Sequence, residues 1–312
     1  MKKVAFFFEP DWAFGSVHYE LFKYLWNEDY NCHLLAWNKA YTVDELQELD
    51  KHIDFWVTTP HGYRYLEYVY CAIKAERVVV IAHAPLDLQE LVHHHGMDDF
   101  SRFRNYGVVS EYLKQYSKDM GIERVPIVCP VAINYHTYFS EPSRELKVVG
   151  YAGTFHEKEE FTQEQIDSNL AQPKYKKRAW LVREAAQKAG LEFKVAQYYH
   201  NSFVTMGGFY KAVDCIIMSS SEEGAGLPVL EAGAAGKLVI GTPVGHWPQR
   251  VGDKGGIQMP IPEEQFVQEC VEVLMYYKNH PAEYRNRCAQ IQEHAKTYDW
   301  SNYLQPWLDV LQ

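Results

Sequence analysis

The chain has 312 residues, with 31 Lys and Arg against 41 Asp and Glu, a formal charge of −10, and 47% hydrophobic residues. That length suits about two domains at roughly 150 residues each, and the composition is that of an ordinary globular protein, which excludes global disorder. The acidity disfavours sequence-blind nucleic-acid binding, which relies on clustered Lys and Arg, but leaves room for a locally basic pocket for a phosphorylated small molecule.

The opening MKKVAFFFEP places only a short apolar run before Glu9. It is too short for a signal-peptide core or a membrane span, so a cytoplasmic protein is expected. Val4–Phe8 reads as a strand buried on both faces of a parallel sheet. A loop containing Gly15 and a helix over 17–26 follow. Strand-like 33–37, helical 42–50, strand-like 54–59, helical 64–75 and strand-like 77–83 continue the alternation. After a His-rich polar stretch come a strand at 106–110, a helix at 111–121 and a strand over 125–131. A polar, proline-containing hinge is expected near Glu141–Arg144. The pattern then restarts with 146–153, a long polar insert (154–176), a helix over 177–190 and strands at 192–197, 213–219 and 237–242. A helix through 263–279 and the segment 300–311 close the chain. This alternation predicts an α/β protein with two doubly wound, Rossmann-like parallel-sheet domains facing a cleft. Their boundaries are expected at 1–143 and 144–295, with a terminal helix over 296–312. The six cysteines are scattered without a C-x-x-C pair, which argues against a disulfide framework or a Cys-rich zinc site.

The densest chemistry lies in 219–245. A strand ends at Ser219, Gly224 and Gly226 let backbone approach a ligand, and Pro228 suits the first turn of a helix. The amides at such a helix start form an anion site. Glu223 precedes the helix and Glu231 lies one turn into it. A plain strand–turn–helix with solvated glutamates is the alternative.

The run from Glu223 to Glu231, EGAGLPVLE, resembles the E-x7-E element of retaining nucleotide-sugar glycosyltransferases of the GT-B fold, particularly family 4. GFYKAVDCIIMSSSEEG (208–224), KLVIGTPVG (237–245) and VCPVAINYHTYF (128–139) resemble that family's neighbouring motifs in the same order. The resemblance implies that Glu223 and the backbone of Gly224, Ala225, Gly226 and Leu227 hold the donor sugar. It implies that Glu231 accepts hydrogen bonds from the ribose, that the Gly15-Ser16 turn lies near the donor phosphate, and that His83 faces the sugar. A hydrogen-bonded histidine at a strand end is the alternative for His83. The family's phosphate clamp, G-R…K-G, departs here to Gly153-Thr154, without the arginine. Lys177 is the first choice for the diphosphate and Lys158, in an acidic run, the second. A solvated basic helix start accounts for Lys174, Lys176, Lys177 and Arg178 equally well.

His93, His94 and His95 cannot all converge on one ion from a regular element, so a polar loop is expected there and no metal site. No D-x-D occurs, and no G-x-G-x-x-G follows the first strand, which counts against NAD or FAD. The expected activity is metal-independent transfer of a hexosyl-type sugar, with retention, from a nucleoside-diphosphate sugar to a glycan, protein or small-molecule acceptor. No cofactor is expected, nor nucleic acid or peripheral membrane as partners. A nucleotide-sugar epimerase or hydrolase of the same fold, or a catalytically silent sugar-nucleotide or glycan-binding protein, are the alternatives.

Overall fold

A computed structural model describes residues 1–10, 12–69, 73–96, 99–163, 173–196 and 205–312. The chain divides into two compact units, one of Met1–Val131 with Trp300–Gln312 and one of Ala132–Asp299.

The first unit is built on a six-stranded parallel sheet in the order β2-β1-β3-β4-β5-β6. Its strands are β1 (Lys2–Phe8), β2 (Tyr30–Ala36), β3 (Phe55–Thr58), β4 (Val78–Ala82), β5 (Asn105–Val108) and β6 (Ile127–Val128). Val4–Phe8 and Val78–Ala82 are wholly buried, as unbroken apolar runs require when helices cover both faces. Each buried Phe of β1 contributes about 1.5–3 kcal/mol of transfer free energy. The crossover helices start where side chains satisfy their first amides. Thr42 and Glu45 form a reciprocal cap on Val43–Asp50, and Ser110 Oγ accepts from the Leu113 amide at 3.3 Å. The terminal segment packs into this unit. Trp307 Nε1 donates to the Pro130 carbonyl at 3.0 Å, and Asn105 Nδ2 to that of Val310 at 2.9 Å.

The second unit carries a five-stranded parallel sheet in the order β11-β10-β9-β7-β8. These are β7 (Val148–Ala152), β8 (Glu192–Ala196), β9 (Cys215–Met218), β10 (Leu238–Gly241) and β11 (Ile257–Gln258). The segment leading into it is tied to it, for Ser140 Oγ donates to the Ala235 carbonyl and Lys237 Nζ to Ser143 Oγ, at 2.7 and 2.8 Å.

Three local expectations change. The Gly15-Ser16 turn is helical, since Trp12–Asn27 form one helix beginning four residues after β1. His93–His95 form the last turn of helix Pro85–His95. Pro85 and Asp87 start that helix, the Asp87 carboxylate accepting from the His83 and Ala84 amides. The helix expected from residue 64 instead begins at Pro60, capped by Thr59, and widens into a π-type turn over Tyr65–Val69. Residues 70–72 of that expected helix lie outside the described residues, as do 164–172 of the insert. Among the described residues no helix is long and apolar enough to cross a membrane, and Cys32, Cys129, Cys215, Cys270 and Cys288 are free thiols.

Candidate active site

In an open parallel sheet, ligands bind outside the carboxyl ends of the strands where the winding direction reverses. In the second unit that point falls between β7 and β9. Gly153-Thr154 follow β7, and Ser219 to Gly226 follow β9. Gly226 closes the loop with φ +79°, and a Cβ there would lie 2.9 Å from Met218 Sδ. Helix Leu227–Ala234 starts at once, with Pro228 in its first turn. A second strand end holds this loop in place. Gly245 has φ +61°, and a Cβ on it would meet the Ala225 carbonyl oxygen at 2.6 Å and Glu223 Cβ at 3.1 Å. His246 N–H donates to Ala225 at 2.8 Å, and Thr242 Oγ1 to the Ser220 carbonyl at 2.5 Å.

The loop is lined with paired charge. Glu223 Oε1 takes Lys177 Nζ at 2.5 Å and Ser220 Oγ at 2.6 Å, with only 12% of its side chain exposed. Beside it, Lys176 is paired with Glu222. The backbone of Lys176–Arg178 is strapped to the same loop. The Ser221 amide donates to Lys176 at 2.8 Å, and Ser219 Oγ lies 2.8 and 2.9 Å from the Lys177 and Arg178 carbonyls. Lys177 is thus brought to Glu223. Lys158 instead pairs with Glu263 at 2.8 Å.

Arg178 is not the solvated residue that a basic helix start suggests. It is 4% exposed, and burial pushes its guanidinium down. Its Nε donates to the Ser219 carbonyl at 2.6 Å, Nη1 donates to Ile261, and Nη2 is buried without a hydrogen-bond partner. The backbone is left-handed at φ +50°, a conformation that glycine takes without cost, and the family pattern has glycine after its clamp lysine. Arg178→Ala should therefore lower stability by about 2–3 kcal/mol through the lost charged hydrogen bonds. Arg178→Gly should recover about 1 kcal/mol of that by removing the left-handed penalty. Thermal unfolding of the two variants checks the order, and equal losses would show that the backbone term is absent.

Glu231 lies deeper. It is 4% exposed, and Tyr210 donates its phenol to Oε2 at 2.5 Å. Tyr138 adds a second hydrogen bond, its ring 5.9 Å from that of Tyr210. Burial pushes the carboxyl up to about 7, against the pull of both phenols. Sequence reading missed these tyrosines. Tyr210 stood inside the quoted motif, but nothing in the spacing showed which side chain it meets.

The remaining candidates belong to the first unit. Gly15, buried, is the fourth residue of helix Trp12–Asn27 and so lies at the end of its first turn. Ser16 follows it. His83 sits just past β4, its ring 5.9 Å from His18 and 6.1 Å from Phe8. Part of its surface is open, yet the surroundings push its imidazole down to about 3. Burial thus keeps it an uncharged ring at neutral pH, with one N–H donor and one acceptor nitrogen. Asp87, which binds the His83 amide, is pushed up to about 6 by burial. Among the described residues no group of three His, Cys, Asp or Glu side chains is placed to hold a metal ion.

Residues 147–275 match the family Glycosyl transferases group 1. No curated protein matches the chain in sequence. Among solved structures, sucrose-phosphate synthase from Thermosynechococcus elongatus superposes with TM-score 0.70 at 11% identity, covering 100% of this chain and 98% of that one. Anabaena HepE in complex with UDP-glucose gives 0.69 at 14% identity, over 100% and 99%. The catalytic domain of Arabidopsis thaliana starch synthase IV, bound to ADP and acarbose, gives 0.70 at 11%, over 99% and 98%. The chain therefore has the GT-B fold, two parallel-sheet α/β units, and its residues 147–275 are similar to the glycosyl transferases group 1 family.

Proposed function

We propose that the chain is a retaining glycosyltransferase of the family 4 type, moving a hexosyl-type sugar from a nucleoside-diphosphate sugar to an acceptor hydroxyl without a metal ion. One observation carries this. The Lys177–Glu223 pair lies on the loop that runs from β9 into helix Leu227–Ala234, at the switch point of the second sheet. In this proposal the helix N-terminus and Lys177 take the diphosphate, and Glu223 with the backbone of Gly224–Leu227 takes the sugar. The acceptor oxygen forms its bond to the anomeric carbon on the face from which the phosphate oxygen departs. The hydroxyl proton passes to that phosphate, and the nucleoside diphosphate leaves. Glu231 receives the ribose hydroxyls. The UDP-glucose complex of HepE and the ADP complex of starch synthase IV make UDP- and ADP-sugars the first donors to try.

The test incubates the protein with UDP-, GDP-, ADP- and TDP-sugars and follows nucleotide release. Release from one donor, reduced about ten-fold or more in Lys177→Ala, is the expected result. Tight donor binding with no turnover under any acceptor would instead favour a silent sugar-nucleotide-binding protein. Thr154 at the position of the family's clamp arginine is the observation on that side. Loss of binding in Lys158→Ala but not in Lys177→Ala would move the clamp to Lys158.

A further inference from the structure

The first unit has a switch point of its own. In its order β2-β1-β3-β4-β5-β6 the winding reverses between β1 and β3, and the carboxyl ends of strands at such a reversal are where open sheets of this kind bind ligands. Three rings stand in a row at this edge. Trp37 follows β2 and is held by its amide on the Phe8 carbonyl at 3.2 Å. His61 lies in the first turn after β3, its ring 5.3 Å from Trp37 and 5.3 Å from Tyr65. Gly62 leaves the seat for the indole, since a Cβ there would reach Trp37 Cε3 at 3.2 Å and Thr58 Oγ1 at 2.0 Å. Glu90 Oε2 is 3.1 Å from His61 Nδ1. With Nδ1–H given to the carboxylate, Nε2 becomes an acceptor. The rings are not core. Trp37 is half-buried, Tyr65 is 36% exposed, and the side chains of His61 and Glu90 keep 38% and 25% of their surface.

A half-open run of aromatic rings beside an imidazole–carboxylate pair has the chemistry of a pyranose site. Ring faces cover the sugar's C–H face, while its hydroxyls donate to Nε2 and to the free lone pairs of the carboxylate. A carboxylate in the site also repels a phosphorylated ligand. We propose that Trp37, His61, Tyr65 and Glu90 form a subsite for a neutral pyranosyl unit, which makes the acceptor a glycan or glycoside if the chain is the transferase proposed above.

The full chain is titrated with methyl β-D-glucopyranoside, methyl α-D-glucopyranoside and methyl β-D-galactopyranoside, and separately with UDP and ADP, followed by saturation-transfer NMR. At least one glycoside should bind saturably in the millimolar range. That binding should weaken about ten-fold in Trp37→Ala and in His61→Ala, with nucleotide binding changed by less than about two-fold. Trp37→Phe keeps a ring and should keep most of the binding, which preserves the test if Trp37→Ala fails to fold. The subsite is overturned if no glycoside binds up to about 50 mM, if glucose 6-phosphate binds more tightly than every glycoside, or if His61→Ala binds as the wild type does. Nucleotide binding without glycoside binding overturns the subsite and leaves the donor site standing. Glycoside binding without nucleotide binding does the reverse.

Discussion

Glu223→Gln is expected to lower kcat on the productive donor by about 100- to 1,000-fold, the usual loss when one preorganised charge is removed from a developing transition state. Donor KM should stay level or fall. In the free protein Glu223 occupies Lys177 at 2.5 Å, so an incoming diphosphate must replace the carboxylate as the lysine's partner. The glutamine oxygen keeps the hydrogen bond from Ser220 but lacks the charge that pairs with the lysine, which weakens that competition. Lys177→Met should show the opposite split, with donor KM raised about ten-fold and a smaller effect on kcat. Steady-state kinetics on both variants read this directly. A Glu223→Gln enzyme with raised KM and unchanged kcat would confine the carboxylate to ground-state binding of the sugar and overturn this expectation.

Much of the fold was legible because burial and apolar run length coincide. Val4–Phe8, Val78–Ala82, Cys215–Met218 and Leu238–Gly241 are short, continuous and buried, and each is a strand of a parallel sheet. The element that carries Glu223 was legible for a related reason, since Gly226 and Pro228 announce a turn and a helix start within three residues. The failures share a different cause. Gly15 suggested a loop, but the apolar residues around it support a helix that starts three residues earlier. Proline 60 fixes a helix start that periodicity alone put at residue 64, because Thr59 Oγ1 caps it through the Gly62 amide at 3.0 Å. Arg178 looked like surface charge. Its burial depends on carbonyls at Ser219 and Ile261, far along the chain, and no local pattern carries that information. The same holds for Glu231. Its spacing from Glu223 is visible in one line of sequence, whereas the phenol that holds it comes from the helix before β9.

That hidden partner sets the second large effect, a pH dependence. The Glu231 carboxyl rises from 4.5 to about 7 on folding, chiefly because burial disfavours its charge. The native state therefore holds this proton between about pH 4.5 and 7 while the unfolded chain has lost it. The stabilisation is fully present below about pH 4.5 and is lost as pH rises through about 7, a total of about 3 kcal/mol. Glu231→Gln carries a neutral group at every pH and can still accept from Tyr210. It should match the wild type near pH 4.5 and exceed it by about 3 kcal/mol at about pH 8. Chemical unfolding of both proteins across that range reads the difference, in which other groups such as Asp87 cancel. Parallel curves would show that this carboxyl does not titrate there. Nucleotide binding should move the other way if Glu231 receives the ribose. Hydroxyls donate best to the ionised carboxylate, so wild-type affinity should strengthen as pH rises through about 7, and Glu231→Gln should lose that dependence. Tyr210→Phe removes one of the two hydrogen bonds that favour the ion, which should carry both transitions to higher pH.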